Sequence, residues 1–375
     1  MVTERDNSNL REPNGEFPSE AVDAALAASA HAAIRWLEIP GPGESLSTLL
    51  TAMAVCARVT NGALPARHPT EFLALLTRPV CEWLPTALDE SLVQHDQPTD
   101  FCRDLFAEAG VDPEAEMVQA KIGESRKRFA LVDGGGEQEY AAFRRYLIEH
   151  GVSRRADAQE ALAMSGVRLT DLYEDIPAAC RVKHSGGSVF YACPFCGWAM
   201  LSHDAELACP WPECIAQGAR FLIEGDLVRA LGGHPTPPAL VPDDYVRLKR
   251  GPWRYTLIPG LVELRLADAL AAMEGVSVQL WPGRDRFDLL VTIEGKRCWR
   301  VDVKDWSNPD ALSRRLFQDD PSEEMYVVVP DRRRWQVPVL RHRLNNTRWT
   351  AMTVSELVTD IRRLIRPAKS GGRNG

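Results

Sequence analysis

The chain is 375 residues long, 45% of them apolar, and no run approaches the roughly 18 uninterrupted apolar residues that a membrane helix needs. Net charge is −8 but unevenly spread: residues 241–375 hold 24 Lys and Arg against 18 Asp and Glu, a surplus of +6, while the other 240 hold 20 against 34, or −14. These totals exclude a membrane-spanning helix and leave room for two or three domains; the charge contrast fits a C-terminal third that draws a polyanion such as DNA, or plain chance unevenness.

Residues 1–18 are polar and lack an apolar signal core, so a disordered leader and a cytoplasmic protein are expected. Residues 19–176 read as a helical domain. Apolar residues recur at three- and four-residue spacing over 19–37, 45–59, 70–76, 80–93, 100–109 and 112–129. Breaks fall at Pro40-Gly41-Pro42-Gly43, Asn61-Gly62, Pro65 and Asp133-Gly134-Gly135-Gly136. The basic run 121–128 is accounted for by a solvated helix face. Residues 139–150, 155–164 and 170–175 read as three short helices, and 139–176 has the size of a helix-turn-helix or of a plain helical connector.

Nine cysteines in a chain of this size do not indicate a disulfide scaffold, but four of them are paired. Cys193-x2-Cys196 and Cys209-x4-Cys214 are separated by twelve residues, with Pro194 and Pro210 after the first Cys of each pair and Gly197 after Cys196. Tight turns of this kind aim backbone N–H groups at thiolate sulfurs. Four thiolates close a tetrahedral site with no open position, which predicts structural Zn²⁺ in a zinc ribbon over 177–231. His184, His203 and Cys180 are near enough to replace one ligand, although the four-Cys set is complete without them. Such a module contacts nucleic acid or protein partners, and the ribbon alone does not say which. Gly232-Gly233-His234-Pro235 and Pro237-Pro238 mark a linker over 232–258.

From residue 259 the order is helix (260–273), strand (276–281), strand (287–293), strand (297–304), helix (309–317), strand (325–329), strand (350–354) and helix (355–366), the last capped by Ser355. The expected fold class is therefore α+β: a helical N-terminal region, a zinc ribbon, then a mixed sheet flanked by helices. Strands 287–293 and 297–304 flank the turn Glu294-Gly295-Lys296. Side-chain alternation puts Arg300, Asp302 and Lys304 on one face and Trp299, Val301 and Val303 on the other. Asp288, at the start of the first strand, then meets Asp302 at the open end of the hairpin. Two carboxylates and an ammonium gathered there suit Mg²⁺ and a bound water. A surface Asp–Lys pair contributes only about 0–1 kcal/mol, so stability gives little reason for Asp302 and Lys304.

These residues resemble the PD-(D/E)xK superfamily of nucleases, which includes many restriction endonucleases. Asp288 matches the Asp of the second strand, Asp302-Val303-Lys304 the (D/E)xK of the third, and Glu263 the Glu of the first helix. Phe287 stands where the motif has Pro, which is not a metal ligand. The resemblance covers 260–366 and implies a restriction-endonuclease-like nuclease domain at 259–367, followed by a disordered tail at 368–375. It implies hydrolysis of DNA phosphodiester bonds with Mg²⁺ or Mn²⁺ held by Asp288, Asp302 and the Val303 carbonyl. Lys304 would orient or deprotonate the attacking water, and Glu263 would serve a second metal or a bound water. Many nucleases of this fold act as homodimers; RNA or hybrid substrates stay open. Asp285, Asp305 and Glu274 are weaker rivals by position. Arg332-Arg333-Arg334-Trp335, Arg341-His342-Arg343 and Arg348-Trp349 suit phosphate contacts and base stacking, or an ordinary basic surface.

A narrower resemblance rests on LYEDIPAACRVKH and VFYACPFCGWAM followed by such a domain. It is similar to the nucleases encoded beside prokaryotic PIWI/Argonaute-related proteins and a helicase, the pPIWI-RE systems. It implies antiviral defence, with the helical N-terminal region docking a partner or DNA. The other class open to the sequence is a non-catalytic zinc-ribbon adaptor on a decayed nuclease fold; the intact Asp288, Asp302 and Lys304 favour the enzyme.

Overall fold

A computed structural model of the chain describes residues 20–38, 43–110, 112–231, 234–294 and 297–365. The expected leader and tail, Pro40-Gly41-Pro42, Gly232-Gly233 and the turn residues Gly295-Lys296 lie outside the described residues. Helices and sheets mix as an α+β fold with a helical N-terminal region. By contact, residues up to 112 group with 305–325 and 332–352 as one unit, and 113–304 group with 326–331 and 353 onward as another. Among the described residues no helix is long and apolar enough to cross a membrane.

In the first unit, helices Glu20–Glu38, Glu44–Val59, Pro69–Leu76 and Asp100–Glu108 bury Leu26, Leu49, Phe72, Leu76 and Leu105 in one core. The helix expected over 80–93 does not form. A single 3-10 turn at Val80–Glu82 is followed by Val93–Gln94 and Gln97–Pro98 paired as a short hairpin. Pro85 removes a backbone donor and pushes Leu84 out of the helical region, and Val80 and Cys81 instead donate to the carbonyls of Glu90 and Leu88. Helix Pro309–Gln318 is capped by the Asn308 side chain, which accepts from the N–H of Asp310 (3.0 Å) and Ala311 (3.2 Å).

The second unit opens with helix α1, Pro113–Phe129, and helix α2, Glu137–Glu149. Gly136 turns one into the other at φ 57°, and a Cβ there would sit 2.2 Å from the Phe129 carbonyl oxygen, so only glycine fits. The helix expected over 170–175 is one turn, Leu169–Leu172, followed by strand Tyr173–Asp175. Pro177 bars helix continuation, and Tyr173 and Leu172 are buried while Asp175 is exposed. That strand pairs with Tyr245–Leu248, which also pairs with Val152–Arg154. A stretch read as linker thus supplies the middle strand of a three-stranded sheet. Strands Leu201–His203, Glu206–Ala208, Arg220–Glu224 and Leu227–Ala230 form the antiparallel sheet beside the cysteine pairs.

Helix α3, Ile258–Ala271, then leads into β1, Val276–Leu280; β2, Leu289–Ile293; β3, Arg297–Val303; and β4, Met325–Val329. The pairs β1–β2 and β2–β3 are antiparallel, and β4 is parallel to β3 with Asp302 opposite Val327, a mixed sheet as expected. After strand Trp349–Thr353 comes helix α4, Val354–Ile365. Its cap is Thr353 and not Ser355. The Thr353 hydroxyl accepts from Glu356 N–H (3.1 Å) while Glu356 accepts from Thr353 N–H (2.9 Å), a reciprocal T-x-x-E box that leaves the Ser355 hydroxyl to donate to Asp331.

Candidate functional site

The β2–β3 register sets Leu289 opposite Val301, so Asp288 falls at the open end of the hairpin beside Asp302, where side-chain alternation puts it. Asp288 is only 7% exposed. Its N–H donates to Val301 O (3.0 Å), and its Oδ2 accepts from Val303 N–H (2.6 Å). The carboxylate is thereby tied to the strand that carries Asp302. Lys304 Nζ donates to Asp302 Oδ1 at 2.7 Å. From α3, Glu263 enters at 3% exposure. Its Oε2 accepts from Trp281 Nε1 (2.6 Å) and its Oε1 from Arg144 Nη2 (3.3 Å).

Burial drives the Asp288 carboxyl well above its ordinary range; the Glu263 and Asp302 carboxylates add to that and Lys304 opposes it. Glu263 is raised by burial against the Arg144 charge and the Trp281 hydrogen bond. Burial works against the Lys304 ammonium, but Asp302 and Asp288 more than offset it, so its pKa rises. An ammonium held by Asp302 in this way can orient a water or a phosphate oxygen.

Arg144 and Asp285 also belong to this locus. Arg144, on α2, lies 119 residues from Glu263 in the chain. Its Nε is 3.7 Å from Asp285 Oδ1, and its guanidinium is 5.6 Å from the centre of the Trp281 ring. Burial opposes its charge, and Asp285 and Glu263 outweigh that and raise it. Asp285, a weak rival ligand on position, is held by Arg126 (2.9 Å), Tyr140 (3.0 Å) and Arg144. Nothing in the local pattern around residue 144 marks it, because a contact across that much chain leaves no periodic trace. Of the other rivals, Asp305 pairs with Arg332 and Arg333, and Glu274 is exposed. Several of the arginines read as phosphate contacts have internal partners: Arg333 pairs with Asp104 and Asp305, Arg343 with Asp310, and Arg341 donates to Ala351 O. A cavity of about 860 Å³ lies between α2 and the end of β1; Glu139, Arg145, Leu280 and Trp281 line it, and Glu263, Asp288 and Asp302 are not among its lining residues.

Asp288, Asp302 and the Val303 carbonyl offer oxygens of the donor type that Mg²⁺ would take, and such an ion would keep several waters. Glu263, with both oxygens engaged, stands behind that pair. The acidic groups are more spread than the cysteines. Among the described residues, Cys193, Cys196, Cys209 and Cys214 are the group of three or more His, Cys, Asp or Glu whose ligand atoms all lie within 4.8 Å of one another.

Cys196 Sγ and Cys209 Sγ are 3.7 Å apart. Tetrahedral Zn–S bonds of about 2.3 Å place sulfurs about 3.8 Å apart, so the cluster fits zinc without rearrangement. Phe195 N–H and Trp211 N–H each donate to a cysteine sulfur at 3.5 Å, Cys193 and Cys209 respectively, as the tight-turn reading expects. Hydrogen bonds from Cys196, Cys209 and Cys214 hold Cys193 well below the thiol range, and Cys209 and Cys214 are pushed up, chiefly by Cys193. Four thiolates this close repel one another, and a bound divalent cation offsets that repulsion. His203 is exposed, His184 meets Tyr191, and Cys180 accepts from Arg247, all outside the cluster.

Two regions of the chain match known families. Residues 260–369 match a family described as "REase associating with pPIWI_RE", and residues 18–154 match "pPIWI_RE three-gene island domain Y". No curated protein and no solved structure matches the chain. Both matches associate it with pPIWI_RE systems.

Proposed function

We propose that the chain, associated with pPIWI_RE systems through both of its matched regions, is a Mg²⁺- or Mn²⁺-dependent endonuclease hydrolysing DNA phosphodiester bonds in defence, alongside a PIWI/Argonaute-related protein and a helicase. The observation that carries this reading is the buried Asp288, crowded by the Glu263 and Asp302 carboxylates and hydrogen-bonded to the strand that bears Lys304. Uncompensated negative charge out of water is costly unless a cation joins it. Asp288, Asp302 and the Val303 carbonyl hold the metal, which supplies positive charge against the phosphodiester oxygens. Lys304, kept charged by Asp302 and Asp288, orients the attacking water. Glu263 keeps the Arg144 and Trp281 side chains in place. Structural Zn²⁺ fills the four-cysteine cluster.

Plasmid nicking in Mg²⁺ or Mn²⁺ tests this. Lys304→Ala is expected to lose at least about 100-fold in rate, the lower range for a positioned group acting on the reacting water. Equal cutting by wild type and variant sinks the reading. Parallel DNA, RNA and hybrid substrates fix the nucleic acid. The commitment of both Glu263 oxygens to Arg144 and Trp281 favours a second reading, a non-catalytic adaptor on a nuclease-like fold. Absence of metal-dependent cutting on all three substrates is its signature.

A further inference from the structure

Residues 281–285 link β1 to β2, and their backbone is unusual. Trp281 (φ 48°), Arg284 (φ 58°) and Asp285 (φ 73°) join Gly283 (φ 63°) in the left-handed region, which side-chain-bearing residues disfavour. Three such residues within five hold that conformation only if their surroundings enforce it. Trp281 Nε1 is bonded to Glu263, Arg284 Nη1 donates to Gly135 O (2.6 Å), and Asp285 is gripped by Arg126, Tyr140 and Arg144. Arg144 touches three parts of the arrangement: Glu263, Asp285 and the face of Trp281. Three residues beyond the segment lies Asp288, whose carbonyl accepts from Trp281 N–H at 2.8 Å. The backbone that carries Asp288 is therefore held in a disfavoured shape by side chains from α1, α2 and α3 and by the Gly135 carbonyl of the loop between α1 and α2.

We propose that Arg144 is a positioning residue that, through Asp285, Trp281 and Glu263, sets the divalent-cation affinity of the Asp288–Asp302 pair from helix α2. This rests on the reading that the pair takes a divalent metal. Removing the guanidinium frees Glu263 and Asp285 to move and releases the 281–285 backbone, so Asp288 loses its fixed approach to Asp302. The helix bearing Arg144 falls within residues 18–154, and the carboxylates fall within residues 260–369. The two matched regions thereby share one charged network.

The test uses the full chain with its zinc. Binding of Mn²⁺ is followed by the electron paramagnetic resonance of free Mn²⁺ for wild type, Asp288→Asn, Arg144→Met, Arg144→Lys and Trp281→Phe, with amide exchange measured over 281–288. Arg144→Met and Trp281→Phe are expected to weaken Asp288-dependent Mn²⁺ binding by about 10- to 100-fold, the usual effect of removing an orienting outer partner. Faster exchange over 281–288 accompanies it, and Arg144→Lys recovers part of both. Trp281→Phe keeps an aromatic side chain while deleting the indole N–H and some buried volume, so it carries the test if Arg144→Met does not fold. Wild-type Mn²⁺ affinity in Trp281→Phe and in every folded Arg144 variant, with exchange unchanged, overturns the inference while the metal reading stands. Absence of Asp288-dependent Mn²⁺ binding in wild type overturns the metal reading and the inference with it.

Discussion

Glu108 ends the helix Asp100–Glu108, where the helix dipole is unfavourable to a carboxylate. Burial, and then Asp104, push it up to about 8, against N–H donation from Ser307 and Asn308 and the charge of Arg333. In the unfolded chain its pKa returns to 4.5, its ordinary value. The folded state therefore binds more protons than the unfolded one between those two values. The stability this group contributes is fully present below pH 4.5 and is lost as pH rises through 8. The melting temperature of wild type should fall from pH 5 to pH 8 more steeply than that of Glu108→Gln, and parallel profiles would show that the carboxyl does not titrate there. The same logic of uncompensated charge runs through Asp288, where the groups able to offset it are a lysine two residues from its strand partner and an arginine from a distant helix.

Among the elements, α3 shows how packing overrides propensity. Gly260 sits in that helix, and a Cβ there would lie 2.4 Å from Ile148 Cδ1 and Cγ1 on α2. Alanine is the better helix former by about 1 kcal/mol. Overpacking against the fully buried Ile148 costs about 1–3 kcal/mol, so the clash wins. Gly260→Ala is expected to lower stability by about 1 kcal/mol, or about 2–4 °C in melting temperature. A stabilised variant would mean that the two helices part easily. The close approach matters because Glu263 lies one turn further along α3 and meets Arg144 one turn back along α2. Among the strands, the β2–β3 hairpin follows directly from alternation, whereas 80–93 reads as a helix by spacing until Pro85 is weighed against it.

At the scale of the whole molecule, the four cysteines do not form a detached module. Cys193, Cys196, Cys209 and Cys214 share one buried core with Trp198, Trp253, Leu257, Ile258, Leu264 and Trp281. Trp198 stacks on Trp253 at 4.4 Å and donates to Leu248 O at 2.7 Å, five residues before Trp253. Elemental analysis is expected to find about one zinc per chain, and Cys196→Ser to leave the second unit poorly folded, because structural zinc contributes folding free energy directly. Protein stripped of zinc and then cleared of chelator should have lost Asp288-dependent Mn²⁺ binding along with the fold around the four cysteines. A metal-free protein that keeps its melting temperature and its Mn²⁺ site would sever that connection.

The sequence by itself determined whatever depends on near neighbours. Cysteine spacing marked the cluster, period-two alternation placed Asp288, Asp302 and Lys304 on one hairpin, and motif order carried the resemblance to pPIWI-RE systems, with which both family matches associate the chain. Only the tertiary structure decided what surrounds those groups. Arg144 and Arg126 reach Glu263 and Asp285 across 119 and 159 residues, and Arg333 reaches Asp104 across 229. Ion pairs of that span are set by how helices and sheet pack, and a local pattern holds no record of which distant charge will be brought to meet it.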